Sequence, residues 1–187
     1  MNSLKPTKEQ AQEAIKTLLE YIGEDTSREG LVDTPKRVIK SYEELFCGYK
    51  HDVSEVLNKK FYDISEYNNV VLLKDVNFTL TCEHHMLPFT GTVDIAYIPD
   101  GVILGISKLA RLVDIFSRRL QIQERLTINI ATSLQEHLKP KGISASHSCM
   151  TNRGTLKKKS ILESSHFTGV YQDNADLRCE FWNMIKK

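Results

Sequence analysis

The sequence predicts an α+β fold: an antiparallel sheet with helices on one face, preceded by an N-terminal helical part. Three observations carry that expectation. Apolar residues recur at helical spacing over residues 7–21, 34–45, 107–116 and 123–138. Runs with strand composition, bounded by turn residues, occupy 70–73, 92–98 and 143–150. The two patterns alternate as α-α-β-β-α-α-β-β-α, an order that places strands and helices in separate layers.

The first helix is expected from Thr7 to Tyr21. Thr7 and Gln10 have the spacing of a capping box, Ala11, Ala14, Ile15, Leu18 and Leu19 share a stripe, and Gly23 suits the position just past the end. The second helix starts at Thr34-Pro35, with Thr34 as N-cap and Pro35 at the first helical position, and is expected to bury Val38, Ile39, Tyr42 and Leu45. The texture changes after Phe61, which sets the expected division at residues 1–60 and 61–187. Val70 to Leu73 read as a buried strand. Thr92 to Ile98 read as a second, closed by the turn Pro99-Asp100-Gly101. Ser107 opens the next helix, whose stripe is Leu109, Leu112, Val113 and Phe116; another begins near Gln123 with Leu126, Ile130, Leu134 and Leu138 inward. Pro140-Lys141-Gly142 stops it, Ile143 to Met150 returns as a strand, and a last short strand is expected near Phe167 to Tyr171. Asn174 caps a terminal helix with Leu177, Phe181 and Ile185 inward. A sheet of so few strands has open edges, which favours self-association.

Composition narrows the function classes. The chain has 187 residues, 41% hydrophobic and 26% charged, enough for a sizeable core and unlike a disordered chain. With 5 prolines, 9 glycines and no repeat, no flexible linker divides it. Lys+Arg is 25 against Asp+Glu 24, a net charge of +1, so the chain is not a net-basic nucleic-acid protein and no nucleic-acid partner is expected, although local basic patches are possible. No apolar run approaches the roughly 20 residues of a membrane helix. The start, MNSLKPTKEQ, lacks the apolar stretch of a secretory signal, so a cytoplasmic location with 4 reduced cysteines is expected.

The densest chemistry is Cys82-Glu83-His84-His85, where Cys82 and His85 have the short separation of zinc ligand pairs. Far along the chain comes His147-Ser148-Cys149. On a strand, side chains two apart share a face, so His147 and Cys149 enter one pocket. Spacing alone leaves three readings open: an open site with Cys82, His85 and Cys149 as ligands and water in the fourth place; a closed structural site with Cys47, Cys179 or His147 as fourth ligand; and no metal. The first is the assignment adopted, and it frees His84 and His147 for proton transfer near neutral pH. Cys47 and Cys179 fall within apolar helical patterns and read as small buried hydrophobes.

A second signal is cationic. Ser107, Lys108 and Arg111 open a helix, where free N–H groups favour an anion, and Arg37, Arg118, Arg119 and Arg153 add planar donors for phosphate. Taken singly, each reads as a solvated helix face. The run Lys157 to Lys159 reads as an exposed turn. Gln123 and Glu124 begin a helix, where an acidic residue is commonplace; Glu124 also has the chemistry to accept two N–H bonds from a guanine edge.

Together these segments resemble the GTP cyclohydrolase I family. The matching stretches are Asp33 to Val38, Cys82 to Phe89, Ala96 to Pro99, Leu104 to Arg111, Arg118 to Thr127 and His147 to Gly154, in the family's order and over most of the chain. The resemblance implies a tunnelling fold (T-fold) behind a helical extension, assembled as a homodecamer of two pentameric rings with active sites between subunits. It implies conversion of GTP and water to 7,8-dihydroneopterin triphosphate and formate, the entry to folate and tetrahydrobiopterin. By position, Cys82, His85 and Cys149 match zinc ligands and His84 and His147 the proton-transfer pair. Gln123 and Glu124 match the guanine anchor, Arg37, Lys108, Arg111 and Arg153 the triphosphate and ribose contacts, and Ser107 a position lining the pocket.

In the reaction so implied, water adds at purine C8 while a histidine protonates N7. The imidazole ring opens, a second hydrolysis releases formate, and the ribose rearranges before the pyrazine ring closes. Two stretches depart from the family pattern: Gly142 to Ser146 is shorter and less apolar than the strand expected there, and Lys157 to His166 lacks the usual Thr-rich segment. These bear on strand pairing, ring assembly or substrate preference more than on the metal ligands. The competing readings are a partial-reaction enzyme and a non-catalytic, guanine-nucleotide-binding homologue with structural zinc. Retention of both His84 and His147 argues against the latter.

Overall fold

A computed structural model describes residues 5–63, 67–150 and 161–186, with Met150 given by its backbone. The chain forms two compact units, Met1–Cys47 and Gly48–Lys187.

The first unit holds α1 (Lys8–Tyr21) and α2 (Thr34–Leu45). The capping box at α1 is present: the Thr7 N–H donates to Gln10 Oε1 at 2.9 Å, and the Gln10 N–H donates to Thr7 Oγ1 at 3.3 Å. Gly23 follows the cap at φ +90°, a left-handed conformation that glycine adopts without strain. The N-cap position of α2 is Asp33, not the expected Thr34. Thr34 is already helical, and its hydroxyl donates back to the Gly30 carbonyl at 3.3 Å instead of capping. The expected burial of the α2 stripe is not found. Val38, Ile39 and Tyr42 are half-buried and Leu45 is exposed, because two helices without a third layer cannot enclose an apolar face.

The second unit contains the short helix α3 (Val53–Val56) and the two-stranded ribbon of β1 (Lys60–Phe61) with β4 (Ile103–Leu104). Its main sheet uses β2 (Val71–Cys82), β3 (Pro88–Ile98), β5 (Leu120–Gln121), β6 (Gly142–Met150) and β7 (Ile161–Gly169), in the order β5-β2-β3-β6-β7. All neighbours are antiparallel except the short β2–β5 pair. Between β3 and β6 run α4 (Ile106–Ser117) and α5 (Gln123–Leu138), and α6 (Val170–Asp173) and α7 (Ala175–Ile185) close the chain.

Alternation along the strands separates two apolar clusters. Val93, Ile95, Tyr97, Ile143, Ala145 and Cys149 face α4 and α5, whose stripes are buried as expected: Leu109, Leu112, Val113 and Phe116 on α4, and Leu126, Ile130, Leu134 and Leu138 on α5. Ala96 belongs to a smaller cluster with Tyr171, Phe181 and Ile185. Asn174 caps α7 as expected, its Oδ1 accepting from the N–H groups of Asp176 and Leu177. Leu177 is half-buried beside Phe181 and Ile185. Cys179 is exposed, against expectation, because two helical positions put it roughly 200° around from buried Phe181. Cys47 is half-buried.

Three further boundaries differ from the sequence reading. β2 continues past Leu73 to Cys82 through a bulge between Leu73 and Val76, where Asp75 takes φ +57° and its N–H donates to Asp94 Oδ1 at 2.8 Å. The N-cap of α4 is Gly105, which leaves Ser107 as an exposed helical residue. β7 begins at Ile161 rather than near Phe167, and Tyr171 lies in α6. The polar run Glu163-Ser164-Ser165-His166 carries little strand propensity of its own; the pairing with β6 from Gly142↔Gly169 to Met150↔Ile161 holds it. β6 is also paired with β3 from Ile98↔Gly142 to Gly91↔Cys149, so the shortened segment keeps its place in the sheet. No helix among the described residues is long and apolar enough to cross a membrane.

Ile130 is fully enclosed in the larger cluster. Ile130→Ala is expected to cost about 2–5 kcal/mol, read as a lower denaturant midpoint at unchanged slope.

Candidate active site

The first turn of α5 is where the two histidine-cysteine segments meet. β5 ends at Gln121, beside Cys82 in the parallel pairing, and the Glu83 N–H donates to the Gln121 carbonyl at 3.1 Å. Arg125 on α5 grips Glu83 with both arms of its guanidinium, Nη1 to Oε2 at 2.5 Å and Nη2 to Oε1 at 3.3 Å. That fork ties α5 to the β2–β3 turn. The turn itself is closed by the Met86 N–H to the Cys82 carbonyl at 2.8 Å and the Cys82 N–H to the Leu87 carbonyl at 2.9 Å, with Met86 at φ +55°. Cys82 is half-buried and His84 and His85 are exposed, their rings edge-to-face at 6.3 Å.

On the other side of α5 stands β6. His147 and Cys149 point the same way and are 1% and 2% exposed, so the i, i+2 expectation holds on an observed strand. Burial holds the His147 imidazole neutral, its pKa lowered from the usual 6.5 to about 4, with the nearby Glu124 charge pulling weakly the other way. Burial likewise raises the Cys149 thiol, against a lowering hydrogen bond with the Gln123 side chain; the Glu124 charge adds to the rise. The Phe78 and His147 rings meet edge-to-face, their centroids 6.1 Å apart. His147 Nδ1 is 2.9 Å from Ser164 Oγ on β7, and Ser164 Oγ is 3.1 Å from Thr127 Oγ1 on α5. His147 Nε2 is buried with no partner among the described residues.

Gln123, Glu124, His147 and Cys149 are therefore brought together, with the Cys82–His85 turn joined to the same helix end through Glu83 and Arg125. Ser107, Lys108 and Arg111 occupy the first two turns of α4, Lys108 half-buried and the others exposed; no hydrogen bond among the described residues joins them to the α5 group. Arg37 lies in the first unit, its guanidinium 3.5 Å from Asp33. Arg153 and Lys157 to Lys159 lie outside the described residues. Arg119 is occupied structurally: its Nε donates to the Gly48 carbonyl at 3.1 Å and its guanidinium lies over Phe116 at 5.0 Å. Thr127, Ser164 and Arg125 join the site without belonging to the expected set of site residues. Thr127 lies one turn beyond Gln123 on the buried side of α5, a signal that could have found it; Ser164 depends on strand register, which the sequence does not display.

Two thiols and an imidazole are donors that zinc takes, so Cys82, His85 and Cys149 fit the ion by chemistry. As the chain stands, no three His, Cys, Asp or Glu side chains among the described residues are grouped closely enough to hold a metal. Cys149 owes its depth to Gly91 across the β3–β6 pair, where a Cβ would lie 2.2 Å from the Ser148 carbonyl oxygen and 2.8 Å from Cys149 Cβ.

Comparison with known proteins shows the family. The model of the family described as GTP cyclohydrolase I matches residues 11–186. The chain is 56% identical over 187 residues to GTP cyclohydrolase 1 of Rickettsia felis and 54% identical to that of Rickettsia prowazekii, covering 98% of both chains in each case. Among solved structures, an archaeosine synthase of the QueF-like type in its apo form is similar over 54% of this chain and 93% of that one, at 19% identity and a TM-score of 0.48. The chain belongs to the GTP cyclohydrolase I family. Its second unit is of the α+β class with the mainly antiparallel sheet expected above.

Gly91→Ala is expected to push β6 from β3 at Cys149. Alkylation mapped by mass spectrometry should show Cys149 reacting faster than in the parent protein, together with a lower thermal midpoint.

Proposed function

We propose that this protein converts GTP and water into 7,8-dihydroneopterin triphosphate and formate, as a cytoplasmic homo-oligomer using zinc. The observation that carries the reading is the family match over residues 11–186, which takes in both the Cys82–His85 and the His147–Cys149 segments. Zinc is assigned to Cys82, His85 and Cys149 on the chemistry of the donor set. When bound, the ion supplies the Lewis acidity that makes water nucleophilic near neutral pH.

The chain's own residues divide the remaining work. Glu124 accepts two N–H bonds from the guanine edge beside Gln123, which fixes the plane of the base. Arg37, Lys108, Arg111 and Arg153 hold the triphosphate and ribose, with Ser107 lining the same pocket, so C8 is held in place for attack. His84 and His147 carry the protons that addition at C8, protonation at N7 and release of formate require. Their surroundings differ, one exposed and one enclosed, as suits two groups moving protons in opposite directions. For assembly, a decamer of two pentamers is the reading adopted. Its support is that β7 has no strand partner on its outer edge among the described residues, and β5 pairs with β2 only at Thr81 and Cys82.

Purified, metal-analysed protein should release formate and form pterin in equal amounts from GTP, and lose both on chelation. Formate without pterin would point to an interrupted reaction; neither product, from folded zinc-loaded protein, would overturn the proposal. His84→Ala should abolish turnover while zinc stays bound, and Cys149→Ala should lose zinc and activity together. Full zinc retention in Cys149→Ala would show that the ligand set is wrong.

A further inference from the structure

The proton-transfer histidine on β6 sits at the end of a row of hydroxyl groups whose directions can be worked out from their partners. Thr127 Oγ1 is 2.9 Å from the Glu124 carbonyl and 3.3 Å from the Gln123 carbonyl. Carbonyl oxygens only accept, so the single Thr127 hydroxyl proton is committed to the helix backbone. In its contact with Ser164 at 3.1 Å, Thr127 must therefore accept, and the single Ser164 proton is committed to Thr127. Ser164 in turn has only a lone pair to offer His147 Nδ1 at 2.9 Å, so Nδ1 carries the proton. A neutral imidazole has one N–H. His147 Nε2 is left as a bare lone pair, and it is the ring atom that lies buried without a partner among the described residues.

We propose that Thr127 and Ser164 are positioning residues that hold the His147 ring through Nδ1–H, so that Nε2 is the ring atom His147 turns to the reaction. The inference rests on the proposed reaction and assigns the reacting atom of one of its two histidines. Register supports the role of Ser164, which stands directly opposite His147 in the β6–β7 pairing. The row starts at a helix carbonyl, 2.9 Å from Thr127 Oγ1, and ends at the ring, 2.9 Å from Ser164 Oγ, so one hydroxyl on each of two elements links the ring to the backbone of α5.

The test uses the full-length, metal-loaded protein in two measurements. Nitrogen-15 spectra of histidine-labelled protein, with the His147 signal identified by its loss in His147→Gln, should show Nδ1 protonated and Nε2 bare. Ser164→Ala should lower kcat by about tenfold or more with KM for GTP unchanged, a loss of the order seen when the hydrogen-bond partner of a metal-ligating histidine is removed. Ser164→Thr, which keeps the hydroxyl, should recover most of that loss, and Thr127→Val should fall between the two. An Nε2–H tautomer in the parent protein would overturn the proposal, as would parental kcat in Ser164→Ala or equal loss in Ser164→Ala and Ser164→Thr. A parent protein that turns over no GTP would overturn the functional reading instead, and the spectrum would still decide the tautomer.

Discussion

At Gly91 the backbones of β3 and β6 approach so closely that the space for a Cβ is already taken by the Ser148 carbonyl oxygen. That contact sets how far β6 can move toward β3 at the very residues that carry its chemistry. With Cys149 opposite Gly91 and His147 opposite Val93, both side chains are directed into the α5 side of the sheet. The register then carries across to β7, where Ser164 meets His147, and into α5, where Thr127 meets Ser164. One close approach between two strands thus orders a row of groups on three elements.

The rest of the site depends on the first turn of α5. It has no side-chain cap at Ile122, and it is held instead through Arg125 to Glu83 and through β5 to Cys82. Because the same turn presents Gln123 and Glu124 toward β6, a shift of this helix end would move the guanine-binding candidates and the surroundings of Cys149 together. The buried stripe of α5 opposes such a shift, since Leu126 and Ile130 anchor it from the second turn onward.

Much of this was legible in the sequence where one element decides the outcome by itself. The stripes of α4 and α5 are enclosed as their periodicity foretells, Thr7 and Asn174 cap the helices that follow them, and the spacing of His147 and Cys149 holds on a strand. What was not legible depends on a second segment. Ser164 lies in a run too polar to read as a strand, and its role comes from the register with β6. Cys179 has an apolar neighbourhood in sequence yet faces outward, because helix rotation against the sheet is set by Phe181 and Ile185. Thr34 has the residue type of an N-cap, but its hydroxyl finds the Gly30 carbonyl first.

The order of the sheet carries a kinetic consequence. β2–β3 and β6–β7 are antiparallel neighbours in sequence, and each pair is able to form locally. The β3–β6 pairing that joins them, from Ile98↔Gly142 to Gly91↔Cys149, spans the whole of residues 99–141. Closing so long a stretch before its contacts are in place is entropically costly. That cost favours pairing of β2 with β3 and of β6 with β7, and formation of the α4–α5 segment, ahead of the central seam. Because His147 and Cys149 lie on that seam, their surroundings depend on the costliest closure in the sheet.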